Sequence, residues 1–404
     1  MVFRIILFLI FISFSFTTMV SADTSFKTAF IRDSQLWIKE GATEIQLTHG
    51  KKVYSPKWSY DGRFIAYYDG DEAGNKADLY LYDTEKKENY QPYVTVESTN
   101  FKWSPNKNQL AYLSKGILNV TKMKNGQPYG FENVSLGVSD FEWFPNGNEF
   151  IVSSQASLRP TGWGHVPLYK VPVETIFSKK KITPFYTIQT NEKKLFAINA
   201  NDFKWNFDGT WVSFLATPTA SISADQNILS VLSSEGTDFQ VIGTMLWNPD
   251  WIKWAPQANK LAYISGEGRF FVENKNTAIA DIPTAKQQKE YTPKGYVDLG
   301  LEWFSPDQVI VARAKENKNW GEGSVPTMFT ALYAINIKTE EQNQITFPNK
   351  NDYDRDPQMA GSHLTWFRRN ANNLKGDVWV KEGLTGEEYM WIKGIDSAPV
   401  FYFE

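Results

Sequence analysis

The stretch Pro56-Lys-Trp-Ser-Tyr-Asp-Gly-Arg-Phe-Ile-Ala-Tyr-Tyr68, PKWSYDGRFIAYY, has the form of a hairpin. One strand ends in Trp58, Asp61-Gly62 makes a turn, and a second strand starts at Phe64. Recurrence decides whether it is a site or a piece of architecture. It returns as FKWSPNKNQLAYLS (101–114), FEWFPNGNEFIVSS (141–154), FKWNFDGTWVSFLA (203–216), IKWAPQANKLAYIS (252–265) and LEWFSPDQVIVARA (301–314). A degenerate copy, PQMAGSHLTWFRR (357–369), has Met359 at the Trp position. The Trp-to-Trp spacings are 45, 40, 62, 49 and 49 residues, a regular period and not a chance one.

A further strand follows each copy, as in DLYLYD (78–83), PLYKV (167–171), LYAIN (332–336) and DVWVK (377–381), where apolar and polar residues alternate. A weaker fourth strand closes the unit, as in QIT (344–346). A four-stranded meander cannot cover both of its faces, so the units must stack, and units of 40–50 residues predict an all-β propeller. The chain after its leader opens on three strands, TAFI (28–31), LWIK (36–39) and EIQLT (44–48), which lack a first strand. The end of the chain, APVFYF (398–403), supplies it, with Phe401 in the Trp place. Counting this shared blade gives eight, with seven as the alternative if a weak copy is not a blade. Residues 23–404 are read as this one domain.

These repeats resemble the TolB-type (WSPDG-repeat) propeller family, whose unit reads roughly Pro-x-Trp-Ser-Pro-Asp-Gly followed by an Ile-Ala-Tyr/Phe strand. Pro56 to Tyr67 matches almost residue for residue, and Asp354-Arg-Asp-Pro357 resembles that family's acidic lead-in. The resemblance covers nearly all of 23–404 and implies the propeller fold. Similar repeats serve periplasmic binding proteins, peptidase gating domains and some polysaccharide lyases. The count of eight departs from the six blades of TolB itself.

Composition narrows the function further. Charged residues make up 22% of the chain and the formal charge is −3, which removes the electrostatic basis for binding nucleic acid or an anionic membrane. The aromatic share is 15%, with 15 Trp, which suits a β-rich interior. Residues 1–22, MVFRIILFLIFISFSFTTMVSA, have the basic start, apolar run and small-residue end of a cleaved signal peptide, with an uncleaved membrane anchor as the alternative. An extracellular, periplasmic or cell-wall location is expected, with no membrane insertion after cleavage. With no Cys there are no disulfides, thiolate metal sites or Cys nucleophiles.

The repeat Trp residues read as wedges between blades, and Asp61-Gly62, Asp208-Gly209 and Asn146-Gly147 as turns needing positive φ. The residue before each Trp is charged in six copies: Lys57, Lys102, Glu142, Lys204, Lys253 and Glu302, then Gln358. Mixed signs suggest a mutually compensated ring edging the central channel, over the alternative of an anion-binding funnel. The acidic stretch 69–78 has calcium-loop residues at its first, third and sixth places, but Ala73 and Tyr80 stand where oxygen ligands belong. His49, His165 and His363 form no metal spacing, and no Gly-x-Ser-x-Gly occurs. No metal or other cofactor is expected.

Function is therefore sought where the repeat is interrupted. Insertions at 155–166, 172–201 and 315–330 carry aromatics and turn residues, and loops on a rigid scaffold commonly bind. Arg159, Trp163, His165, Trp247, Trp320 and Glu322 are the candidate ligand contacts, with the three Trp placed at one mouth of the propeller or else folded back on blade edges. The expected role is a monomeric binding module for a protein, peptide or glycan. The alternative is a carbohydrate-active enzyme, a polysaccharide lyase or glycosidase, using funnel carboxylates among Glu142, Glu302 and Asp250.

Overall fold

The computed structural model describes residues 26–71, 76–91, 96, 100–191, 195–284 and 288–402. The expected signal segment, residues 1–22, the tip of the acidic stretch 69–78 and Phe403 lie outside them. Eight four-stranded antiparallel sheets form the eight blades of a β-propeller, with almost no helix. Blade 1 combines the strands Lys27–Arg32, Gln35–Glu40 and Thr43–Gln46 with the C-terminal strand Val400–Tyr402. The innermost strands of blades 2 to 8 are Val53–Trp58, Phe101–Trp103, Asp140–Trp143, Asn199–Trp205, Ile252–Trp254, Tyr296–Ser305 and Asp352–Ala360.

Closure is as expected: Thr28 pairs with Phe401, Ala29 with Val400 and Lys27 with Tyr402. Joining both termini in one sheet removes the open edge that an unclosed ring would present. The expected fourth strand at 344–346 sits slightly upstream, at Gln342–Gln344, because the Thr346 hydroxyl instead accepts the Leu332 amide and caps that edge.

In the PKWSYDGRFIAYY hairpin, Trp58, Asp61 and Gly62 are architecture. Asp61 accepts from the Ser59 hydroxyl and the Arg63 amide, each at 2.9 Å, and so holds the turn. Gly62 has φ +69°, and a Cβ there would collide with the Tyr402 ring, so only glycine serves. Trp58 is buried and its indole N–H donates to Val400 O at 2.9 Å, stapling blade 2 to blade 1.

The staple recurs around the ring. Trp103 donates to Lys57 O, Trp143 to Lys102 O, Trp205 to Trp143 O, Trp254 to Lys204 O and Trp303 to Lys253 O, all between 2.8 and 3.0 Å. Each acceptor is a carbonyl of the preceding blade's innermost strand. A buried Trp needs a partner for its N–H, and that carbonyl has no strand beyond it to bond. The wedge therefore combines apolar burial with hydrogen-bond satisfaction. Apolar clusters fill the gaps between blades, such as Ile151, Phe203, Val212 and Phe214 between blades 4 and 5.

Candidate functional site

The innermost strands line the central funnel, and two rings of their side chains face it. The lower ring holds the residues one before each Trp. Here the Lys102 ammonium meets the Glu142 carboxylate at 2.8 Å, and Lys253 meets Glu302 at 3.0 Å. Each Glu also accepts its own blade's Trp amide at 2.9 Å, which locks the pair in place. The compensation is incomplete. Lys57 donates to Phe101 O at 2.8 Å, and Lys204 to Pro249 O at 2.5 Å and Ile252 O at 3.0 Å. Neither has a carboxylate in ion-pair range among the described residues.

The upper ring lies two residues earlier in the chain, in or just before each innermost strand, at Ser55, Asn100, Asp140, Asp202, Trp251, Gly300 and Asp356. The sequence reading did not single it out. A signal was present, because an amide or acid stands there in three consecutive copies, at Asn100, Asp140 and Asp202, and again at Asp356, but the repeat motif begins at the Trp and hides what precedes it. In blades 2, 5, 7 and 8 the strand register slips across this position. Ser55, Asp202 and Asp356 there have φ of +52°, +57° and +51°. Such a bulge re-aims a side chain, at a backbone cost for a non-glycine residue, and bulges of this kind gather at functional sites.

Blades 2 to 6 enclose a cavity of about 920 Å³ lined by both rings: Lys57, Asn100, Lys102, Asp140, Glu142, Asp202 and Lys204. It opens on the face carrying the loops between blades and between second and third strands, represented by Trp247, Asp250 and 217–223. The Asp202 amide donates to Asp140 Oδ2 at 2.8 Å, and Asn100 donates to the other Asp140 oxygen. The Trp247 indole, 56% exposed, donates to Asp202 Oδ2 at 2.5 Å and stands at the cavity mouth. A smaller cavity of about 490 Å³ continues the funnel between blades 6 and 1, sharing Asp250 and lined by Lys253, Arg355 and Asp356.

Burial governs the protonation of these groups. It pushes Asp140 up to about 6, with Lys102 opposing the rise and Asp202 adding to it. It also raises Asp202 and Asp356. Burial pulls Lys57 down to about 8, helped by the charge of Lys102. Lys204 falls to about 8 in the same way, helped by Lys253. Lys102 is held above its ordinary value, because Glu142 and Asp140 together outweigh its own burial.

The six loop candidates are not gathered into one place. Trp247 is the one that lines the funnel cavity. Arg159 is exposed on a small hairpin whose other arm carries Trp163. Trp163 packs half-buried against the apolar cluster between blades 4 and 5. His165 is exposed, its Nδ1 accepting the Thr190 amide at 3.0 Å. Trp320 lies edge-on to Phe270 at 4.6 Å and donates to Ser324 O, while Glu322 is exposed beside it. The acidic stretch 69–78 is only partly described, and its Asp69 is already engaged by the Lys51 and Lys52 amides. No group of three or more potential metal ligands occurs among the described residues. Nor is any helix among them long and apolar enough to cross a membrane.

No family model matches the sequence, and no curated protein matches it. Among solved structures, the chain is similar to a prolyl endopeptidase at 11% identity and a TM-score of 0.52, over 93% of this chain and 51% of that one. It is similar to a puromycin hydrolase at 12% and 0.51, over 87% and 55%. A puromycin-hydrolysing peptidase from Mycobacterium tuberculosis gives 11% and 0.50, over 93% and 54%. TolB from Acinetobacter baumannii overlaps at 15% identity with a TM-score of 0.39, over 68% of this chain and 65% of that one. The chain thus spans about half the length of the peptidase structures it resembles. At such identities the likeness speaks to the β-propeller fold alone; the eight blades and the charged funnel are features of this chain's own structure.

Proposed function

We propose that this chain is an exported, TolB-type repeat propeller acting as a binding module, with its ligand seated in the funnel at the mouth marked by Trp247. The observation that carries this reading is the cavity itself. A space of about 920 Å³ is of ligand size and is walled by unlike charges with an exposed indole at its entrance. Two lysines there lack carboxylate partners, which a charged ligand would supply. A peptide suits this wall better than a neutral glycan, because glycan platforms are built from several exposed aromatic faces and Trp247 is the one exposed indole lining this cavity. Arg159, His165 and Glu322 are available to the outer parts of a larger partner.

The test is a thermal-shift screen of the full chain against peptide and oligosaccharide libraries, repeated with Trp247→Ala. Peptides that raise Tm for the wild type and not for the variant are expected. No Trp247-dependent ligand in either library would sink the reading.

One observation favours catalysis as a second reading. Asp140, held near 6 beside Asp202, has the raised carboxyl of a proton donor working near neutral pH. In that case the chain would cleave polysaccharides and Asp140→Asn would abolish the activity. A negative hydrolysis and lyase screen on wall polysaccharides removes it.

A further inference from the structure

We infer that the funnel selects a short ligand bearing an ammonium at one end and a carboxylate at the other, bound with the ammonium toward the mouth. This rests on the binding reading above and specifies the chemistry that the same cavity takes.

Charge is layered along the funnel. The upper ring contributes Asp140 and Asp202 to the cavity, joined at the mouth by Asp250, and it contributes no cation there. Trp247 stands beside Asp202, and an indole next to carboxylates is the combination that receives an ammonium. The lower ring contributes Lys57, Lys102 and Lys204 against Glu142 alone. That Glu is spent on Lys102 and on the Trp143 amide. An ammonium has three donors. Lys57 uses one on Phe101 O, and Lys204 uses two on Pro249 O and Ile252 O, so both keep a donor and an uncompensated charge.

The two rings are two residues apart along the same strands, about 6.7 Å at the usual strand rise and less where the strand is bulged. Lys204 reaches back toward the mouth, to Pro249 O and Ile252 O, so Lys57 is the deeper of the two uncompensated cations. A single amino acid is too short to reach both rings, because its charged ends lie one Cα apart. Each further residue adds up to 3.8 Å between Cα atoms. Two or three residues span the layers, and the ligand class is therefore a di- or tripeptide with free termini or a molecule of like charge separation.

The experiment is calorimetric titration of the full chain with trialanine, N-acetyl-trialanine, trialanine amide and free alanine. Trialanine is expected to bind, each capped form to bind at least tenfold more weakly, and alanine to bind weakest. Lys57→Met with Lys204→Met should lower affinity for trialanine to that for its amide and leave the amide's own affinity unchanged. Asp202→Asn should do the same with respect to the acetylated form. Should the double lysine variant fail to fold, the capped peptides on the wild type and the Asp202→Asn arm decide the matter without it. Equal binding of capped and free forms overturns the inference. So does failure of all four probes alongside a Trp247-dependent ligand from the library screen, which leaves the binding reading standing. Failure of both experiments overturns the two together.

Discussion

From blade 2 round to blade 7, every joint with the preceding blade carries an indole that both fills the gap and donates into the neighbouring strand, whereas Met359 and Phe401 take those places on the two sides of blade 8. Neither can donate. The structure replaces the staples with other chemistry. Between blades 8 and 1, Trp391 stacks on Phe401 at 5.9 Å, Gln358 donates to Pro399 O, and the Asp396 carboxylate accepts the Ser34 amide. Between blades 7 and 8, the Asp354 amide donates to Thr330 O and Lys381 donates to Ile345 O. Inside blade 8, Arg368 clasps the buried Asp354 through Nε at 2.6 Å and Nη2 at 2.8 Å, and lies over Trp379 at 4.4 Å. Blade 7 carries the equivalent clasp between Arg313 and Asp298, in which Thr277 and Thr292 also donate to the carboxylate. One joint design repeats where the motif is intact. Where it decays, stacking and hydrogen bonds from other side chains join blade 8 to its neighbours, and a clasp that it shares with blade 7 holds it from within.

This contrast can be broken most severely at the clasp. Arg368→Leu leaves Asp354 buried without its cation, and a loss of about 3–5 kcal/mol is expected in denaturant unfolding. Converting both partners to leucine should recover much of that loss. A loss under about 1 kcal/mol for the single variant would show that the ion pair does not hold blade 8. The staple comes next. Trp103→Phe keeps an aromatic wedge but strands Lys57 O, for an expected loss of about 1–3 kcal/mol. Met359→Leu, at the matching place in blade 8, changes no hydrogen bond and should cost under about 1.5 kcal/mol. Equal losses at the two positions would mean that packing and not the N–H makes the joint.

The funnel offers a pH test of the same asymmetry, because its unpaired charges belong to blades 2, 4 and 5. Asp140 is raised, so its contribution to stability is complete below its unfolded value of 3.8 and is lost as pH rises through about 6. Lys57 and Lys204 are lowered, so their contribution is complete above 10.5 and is lost as pH falls through about 8. Asp140 faces Lys102 and Asp202; Lys57 faces Lys102, Glu142, Asp140 and Asp250; Lys204 faces Lys253, Asp250, Asp202 and Lys102. The empty funnel is therefore least favourable between about pH 6 and 8, when all three groups are charged. Trialanine should raise Tm most in that window, with the acid limb flattened in Asp140→Asn and the alkaline limb in Lys57→Met. A flat profile would separate the funnel charges from ligand binding. The smallest stability effect belongs to Trp247→Ala, within about 0.5 kcal/mol because the indole is mostly exposed, with binding lost all the same.

Much of the fold was legible because its determinants are local and repeated. The Trp position, the turn glycine and the alternating third strand recur in each copy, and the incomplete unit at the start and the orphan strand at the end predict their own pairing. Asp354 was legible as a motif residue, but its buried Arg368 partner was not, since the two stand on different strands of a blade. The site was less legible. The charges before each Trp were seen as a ring, but which of them cancel depends on which blades adjoin: Lys102 with Glu142 and Lys253 with Glu302, while Lys57 and Lys204 face backbone carbonyls.

By itself the sequence determined a ring of β-meanders, eight favoured over seven, its turns and its closure, because strand alternation and turn chemistry act over a few residues and every copy states them again. The tertiary structure alone decided the funnel's chemistry. Asp140, Asp202 and Trp247 come from blades up to about a hundred residues apart in the chain, and a bulge at φ +57° helps aim Asp202 at the opening. The aim of a side chain across a ring depends on the closure of the ring, which no single copy of the repeat contains.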